Sequence, residues 1–323
     1  MKNRLLLLGA ALLLVLSGCT NSATTETDDS SSDQLLVYTT VYPLQYFTER
    51  IGGEYVDVKS IYPPGTDEHV FEPTQKDMMA LAKGDLFFYI GLGLEGFVQK
   101  TEKTLQNEDV QFVPIADYID PEELEGGHSH EHGEEEHEDH GHDDHGHEDA
   151  IDPHVWISPY LSTKLAEKIT QELSDELPEH AEAFKKNFEV LYDELEELDR
   201  GFKTMADAAP NKTFFVSHAA FGYLADAYGL QQLAVSGLDS QNEPSQKELA
   251  SLVKDAKEQD IQYILFEQNV SSKLAEVIKK ELNAEALTLH NLSVLTEEDI
   301  QKKETYFSLM EQNLEVLKKA LGN

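Results

Sequence analysis

The 323 residues are enough for two modest domains with real cores, and 62 acidic residues against 25 basic ones give a formal charge of −37. Such a field repels nucleic acid and anionic lipid head groups and draws in cations, which excludes a nucleic-acid partner. A single Cys rules out any intrachain disulfide.

At the N-terminus, Lys2 and Arg4 precede the apolar run LLLLGAALLLVL, Leu5 to Leu16. It is too short and wrongly flanked for a stable membrane span. The run ends in LSGC, with Cys19 last. This order of apolar run, small residues and Cys resembles a bacterial lipoprotein signal, in which residues 1–18 are removed and the lipidated Cys becomes residue one. Thr20 to Asp33 is polar and rich in Ser and Thr, so 19–33 reads as a flexible tether. The mature protein is expected to be a soluble body, lipid-anchored at Cys19 on the extracytoplasmic face of the cell membrane. No other apolar run reaches membrane length.

From Leu35 onward, short apolar runs alternate with helical patterns, which predicts an α/β body. LLVYTTV (Leu35 to Val41), YVDVKSI (Tyr55 to Ile61), LFFYIG after Asp85 and VQFVPI (Val110 to Ile115) read as strands. Between the second and third, EPTQKDMMALAKGD reads as a helix capped at Thr74 and stopped near Gly84. GLGLEG (Gly91 to Gly96) fits G-x-G-x-x-G and, alone, would suggest a dinucleotide site. It follows the third strand, however, and no clear acid-ended strand lies about 20 residues on, so no nucleotide is expected.

His128 to His147, HSHEHGEEEHEDHGHDDHGH, holds eight His and eight Asp or Glu in 20 residues and no apolar side chain. It cannot bury a core and is expected to form a disordered loop inserted in the first half, over 126–149. Exposed imidazoles are mostly neutral at pH 7 and suit loose capture of zinc, copper or nickel. A loop of this kind cannot impose one geometry, so a tight site must lie elsewhere.

Next comes one long apolar stripe. Phe184, Phe188, Leu191, Leu195, Leu198, Phe202 and Met205 recur at alternating steps of four and three. They predict a helix of roughly 30 residues, about 45 Å long, whose stripe is core packing and whose size suits a connection between two lobes. A second series follows Pro210: TFFVSH (Thr213 to His218), a helix stopping at Gly229, then LQQLAVSG, IQYILFE (Ile261 to Glu267) and EALTLH (Glu285 to His290) as strands. One helix begins at Ser245, where SQKE offers a capping box of Ser245 and Glu248, and another is expected to run from near Thr296 to the C-terminus.

Outside the run stand His69, His154, His180, His218 and His290. His180 follows Pro178 and is expected on the solvated surface. His69 lies in YPPGTDEHVFEP, stiffened by Pro63, Pro64 and Pro73; His154 lies in DPHVWISP; His218 and His290 each end a predicted strand. Ligands of open α/β sheets gather beyond the carboxyl ends of strands, so these four point to a cleft.

The phrases PPGTDEHVFEPTQKD, DPHVWISP, FFVSHAAFGYLADAYGL and ILFEQN resemble the zinc-uptake solute-binding lipoproteins of ABC transporters, in order and over nearly all of the chain from Leu35. The resemblance implies two α/β lobes of parallel sheet flanked by helices, joined by a rigid helix, with one Zn2+ in the cleft between them. It implies an N-terminal lobe over 34–178, a connecting helix over 179–209 and a C-terminal lobe over 210–323. Its metal-binding His fall on His69, His154 and His218. The fourth ligand stays open. Where some relatives carry a carboxylate, this chain has Ser293, a poor zinc ligand; His290 is the favoured substitute, with Glu68 or a water as alternatives. Asp152 and Glu267 are candidates to orient the rings through their second nitrogens.

The implied protein is a monomeric receptor that gives Zn2+ to a cognate ABC permease and ATPase and transforms nothing chemically. An all-imidazole set argues against a manganese carrier of the same class. A zinc hydrolase would also use three His and an open position, but the chain has no H-E-x-x-H and no nucleophile set. An adhesin or a metal buffer without a transporter is the third class.

Overall fold

Runs rich in β-branched and aromatic residues, each followed by an amphipathic stretch, fold into two parallel sheets with the same winding. The computed structural model describes residues 34–125, 151–240, 244–270 and 272–322. The signal, Cys19, the tether and the His/acid run lie outside the described residues. The first sheet comprises β1 (Leu35–Thr39), β2 (Val56–Ser60), β3 (Leu86–Tyr89) and β4 (Gln111–Pro114) in the order β2-β1-β3-β4. The second comprises β5 (Thr213–His218), β6 (Gln231–Ser236), β7 (Tyr263–Phe266) and β8 (Glu285–Thr288) in the order β6-β5-β7-β8. All pairings are parallel, and β5 is buried at every position, as a strand covered on both faces must be. In each sheet the order reverses between the first and third strands of the series, which opens a crevice at their carboxyl ends.

The helices are α1 (Tyr42–Gly52), α2 (Gln75–Leu81), α3 (Val98–Thr104), α4 (Pro121–Leu124), α5 (Pro159–Glu176), α6 (Ala181–Ala208), α7 (Gly222–Ala227), α8 (Gln246–Glu258), α9 (Lys273–Leu282), α10 (Glu297–Lys302) and α11 (Tyr306–Ala320). The caps fall where the side chains put them. Thr74 caps α2 in a reciprocal box with Asp77, and Ser245 caps α8 in one with Glu248. Two differences from the sequence reading have local causes. The expected single C-terminal helix is two, because Lys303 turns left-handed (φ 58°) and Thr305 starts a new capping box with Ser308. Helix α5 went unread behind the Pro-bounded DPHVWISP segment. Its signals are Ser158 at the N-cap, Pro159 at the first position and Leu161, Leu165, Ile169 and Leu173 buried at steps of four.

Helix α6 spans 28 residues between the two sheets and buries Phe184, Leu191, Leu195, Leu198, Phe202 and Met205 of the predicted stripe, while Phe188 is partly buried against the same core. It packs along α5, α1 and α11, and one continuous apolar cluster runs through both halves from Val37 to Leu321. A second, smaller cluster lies under α8 and α9, around Phe215, Val253, Ile264 and Ile278. The C-terminal helix therefore returns to the first half. Tyr306 is fully buried, meets Phe47 of α1 edge-on at 4.9 Å, and places its hydroxyl 3.2 Å from the Trp156 carbonyl and 3.1 Å from Ser162 Oγ. Tyr306→Ala should lower the unfolding free energy by about 3–5 kcal/mol, read from urea denaturation.

Candidate metal centre

Each of three His is delivered by a different local device. The β2–α2 loop turns at Gly65 (φ 71°), whose N–H donates to the Leu295 carbonyl of the second half at 3.0 Å. Asp67 Oδ1 then accepts from the backbone N–H of His69 at 3.0 Å and fixes the loop beneath that ring. Asp152 Oδ1 accepts from both the backbone N–H (2.9 Å) and the Nδ1 (2.7 Å) of His154. The Tyr223 hydroxyl in turn donates to the Asp152 carbonyl at 2.8 Å. His218 is the last residue of β5, at the switch of strand order in the second sheet, and its Nδ1 donates to Glu267 Oε1 at 2.8 Å, one residue beyond β7.

The three rings face one another with centroids 5.4 Å (His69–His154), 5.0 Å (His69–His218) and 5.0 Å (His154–His218) apart. One nitrogen from each lies within 4.8 Å of the others. A triangle of that size puts each nitrogen within about 2.8 Å of its centre, slightly outside a zinc–imidazole bond of about 2.1 Å. Because carboxylates hold Nδ1 of His154 and His218, the Nε2 atoms face inward. His69 Nε2 and His154 Nε2 are buried and make no hydrogen bond among the described residues, whereas His218 Nε2 lies 2.9 Å from the Leu238 carbonyl. Buried polar nitrogens without partners are costly, and two of them beside a third imidazole suit a cation.

The electrostatics separate the rings. Burial, then the neighbouring His154 and His218, lowers the His69 pKa to about 3, so this ring is neutral. Burial opposes a charge on His218 too, but the Glu267 carboxylate outweighs it and pushes the pKa up to about 9. Glu267 would itself be raised by burial, yet His218 holds it below the ordinary range. With both nitrogens facing acceptors, His218 is an imidazolium at pH 7. Glu68 lies beside His69, its Oε1 3.9 Å from His69 Nε2, and burial followed by the charge of Glu267 raises it to about 7. Three groups of the second half hold this carboxylate. Ser293 Oγ donates to Oε2 at 2.8 Å, Asn269 Nδ2 to Oε2 at 3.2 Å and Asn291 Nδ2 to Oε1 at 3.3 Å.

Among the predicted site residues, the structure brings together His69, His154 and His218 and does not bring in His290. His290 Nδ1 accepts from the Leu292 N–H at 2.9 Å, in a turn whose Leu292 has φ 57°, and Nε2 lies 3.2 Å from Asp299 Oδ2. That side chain clamps the turn into the Thr296–Asp299 capping box and has no nitrogen left for the cluster. Ser293 meets Glu68. His180 stacks on Tyr55 at 3.8 Å, away from the cluster. The Gly-rich turn is closed by its own acid: Glu95 is buried and accepts from the N–H groups of Ile90 (2.9 Å) and Gly91 (3.0 Å), donors that a phosphate would need.

The profile of the ZnuA family, "Zinc-uptake complex component A periplasmic", matches residues 37–320. The high-affinity zinc uptake system protein ZnuA of Bacillus subtilis (strain 168) is 39% identical over 289 residues, which cover 90% of this chain and 88% of that protein. The zinc-binding lipoprotein AdcA of Streptococcus pneumoniae (strain R6) is 37% identical over 289 residues. The chain spans about half the length of such streptococcal relatives, 55% in that case. The crystal structure of the Zn(II)-bound ZnuA-like domain of Streptococcus pneumoniae AdcA superposes with a TM-score of 0.72 at 35% identity, covering 90% of this chain and all of that one.

Because the pKa of His218 is raised in the fold, its pair with Glu267 contributes stability that is complete below the ordinary value of 6.5 and lost as pH rises through about 9. Ring NMR of metal-free protein should therefore show His218 titrating near pH 9 and His69 staying neutral between about pH 5 and 8. Glu267→Gln should move His218 downward and flatten the loss of thermal stability over the same alkaline range.

Proposed function

The chain belongs to the zinc-uptake complex component A family, one of binding proteins for uptake and not of enzymes, and from that membership we propose that it captures zinc outside the cytoplasmic membrane and delivers it to an ABC-type importer. His69, His154 and His218 are the proposed protein ligands. One observation carries this reading: three imidazoles from separate segments converge, two of them with buried nitrogens that no other described group satisfies. Asp152 and Glu267, the Nδ1 partners of His154 and His218, orient those two rings, as carboxylates behind zinc-bound imidazoles do. Nitrogen donors favour zinc over manganese, which prefers more oxygen. Loading requires His218 to give up its proton and the Leu238 carbonyl, so zinc competes there with a hydrogen bond that is already made.

Cys19 is the proposed lipid anchor, in line with the lipoprotein among the relatives, and the partners are a permease and an ATPase of the same system. In the same reading the chain works as a monomer, with lobes over 34–178 and 210–323 about the connecting helix of 179–209. The His/acid run would gather zinc weakly and raise its concentration near the cluster.

Deleting Gly126–Asp149 should leave one tight zinc site by competition with a chelator and remove only weak ones. Replacing His69, His154 and His218 together by Ala in the deleted protein should abolish the tight site; retention of it would refute the ligand assignment. In a competition titration, equimolar zinc should stay bound against manganese, and displacement by manganese would overturn the choice of metal.

A further inference from the structure

We infer that Asn291 is the positioning residue of this centre, its carboxamide tying the carboxylate that orients His218 to the carboxylate beside His69. This rests on the zinc-capture reading above. Asn291 follows β8 and is fully buried. Its Nδ2 donates to Glu267 Oε2 at 2.6 Å and lies 3.3 Å from Glu68 Oε1. Asn269 Oδ1, 3.2 Å away, is a third acceptor for the two protons. The orientation of the amide is fixed from its other side. The Ser293 N–H, which can only donate, reaches Asn291 Oδ1 at 3.1 Å. Gln268 Nε2 donates to the same oxygen at 2.7 Å, while Gln268 Oε1 accepts from the Asn291 N–H at 3.0 Å. The oxygen end is thus committed, and the NH2 end must face the two acids.

The consequence follows from the chemistry of buried carboxylates. Glu267 has one oxygen on His218 Nδ1 and the other on Asn291, so its plane, and with it the direction of the His218 lone pair, is set from both ends. Glu68 comes from the first half of the chain and Glu267 from the second. Their mutual repulsion is relieved at one shared donor, which a hydroxyl or a carboxylate at position 291 could not supply. The backbone carbonyl of Asn291 also accepts from Trp156 Nε1 at 2.7 Å, two residues beyond His154. One residue thereby touches the neighbourhoods of all three imidazoles without meeting a metal.

The test uses the full chain. Zinc transfer to an excess of chromogenic chelator should show a slow phase from the tight site, apart from any fast release by the His run. Asn291→Ala should speed the slow phase about tenfold, the size typical of a lost partner behind a metal ligand. In a Glu267→Ala background the same change should speed it less than about twofold, because the group it acts through is gone. A slow phase within about twofold of wild type, or equal losses in both backgrounds, would overturn the inference. Asn291→Asp keeps the acceptor for Ser293 and Gln268 and replaces the donor by a third carboxylate oxygen against Glu267 and Glu68. With cobalt bound, its visible spectrum should shift from that of wild type, and the metal-free protein should melt below it because three buried acids then meet without the shared donor; an unchanged spectrum would also overturn the inference. A wild-type chain with no slow phase would sink the zinc-capture reading itself, an outcome distinct from a normal wild-type phase that Asn291 variants leave unmoved.

Discussion

Two imidazoles face the centre because carboxylates hold them by the far nitrogen, and most of the surrounding structure serves to keep those carboxylates in place. Asp152 grips His154 by both ring and backbone, which makes residue and clamp one rigid unit. Glu267 reaches His218 across the gap between β7 and β5, and neighbouring strands hold that gap constant. An isolated buried carboxylate would be expelled or neutralised. Glu267 survives because the His218 imidazole N–H and the Asn291 amide replace the lost water.

The two sheets repeat one strand order, yet their crevices have different contents. In the second, the ends of β5 and β7 carry His218 and Glu267. In the first, the corresponding ends of β1 and β3 lead to Thr40 and Glu95, whose 2.8 Å hydrogen bond, together with the N–H groups of the glycine turn, closes the space. The crevice of the first sheet is thus filled by its own acid, and the first half contributes to the centre through loops, bringing His69 and Glu68 from one and His154 from another. Those loops are carried by a body whose apolar core is continuous through α5, α6 and α11, so they are braced against the second sheet.

Much of this was legible because the decisive signals are local. Strand ends, proline-stiffened loops and capping boxes are written within a few residues of one another, and His69, His154 and His218 each stand in such a context. The α6 stripe was legible for the same reason: periodicity survives whatever it packs against. His290 misled because a strand-end His looks alike whether it faces a cleft or clamps a turn, and the deciding partner, Asp299, lies nine residues on in a capping box. Asn291 offers no signal in the sequence, since its importance comes from Glu68 and Glu267, 223 and 24 residues away. The break at Lys303 was missed because a left-handed lysine leaves no compositional mark.

The charge balance explains why the centre suits a divalent ion better than a proton. Glu267 is matched by the His218 imidazolium, but Glu68, buried beside the same acid, has only hydrogen-bond donors and is driven up to about 7. A single positive charge thus serves two carboxylates, and one of them must sit near its neutral form. On the proposed reading, zinc displaces both the His218 proton and the one that Glu68 carries near neutral pH, and puts two charges at the focus of the three rings, next to Glu68 as well as near Glu267. The exchange leaves both acids ionised and supplies partners for the orphaned nitrogens of His69 and His154. A monovalent cation could not satisfy the same set, and a hard divalent one would find nitrogen where it prefers oxygen. The preference therefore lies in the buried acids as much as in the imidazoles.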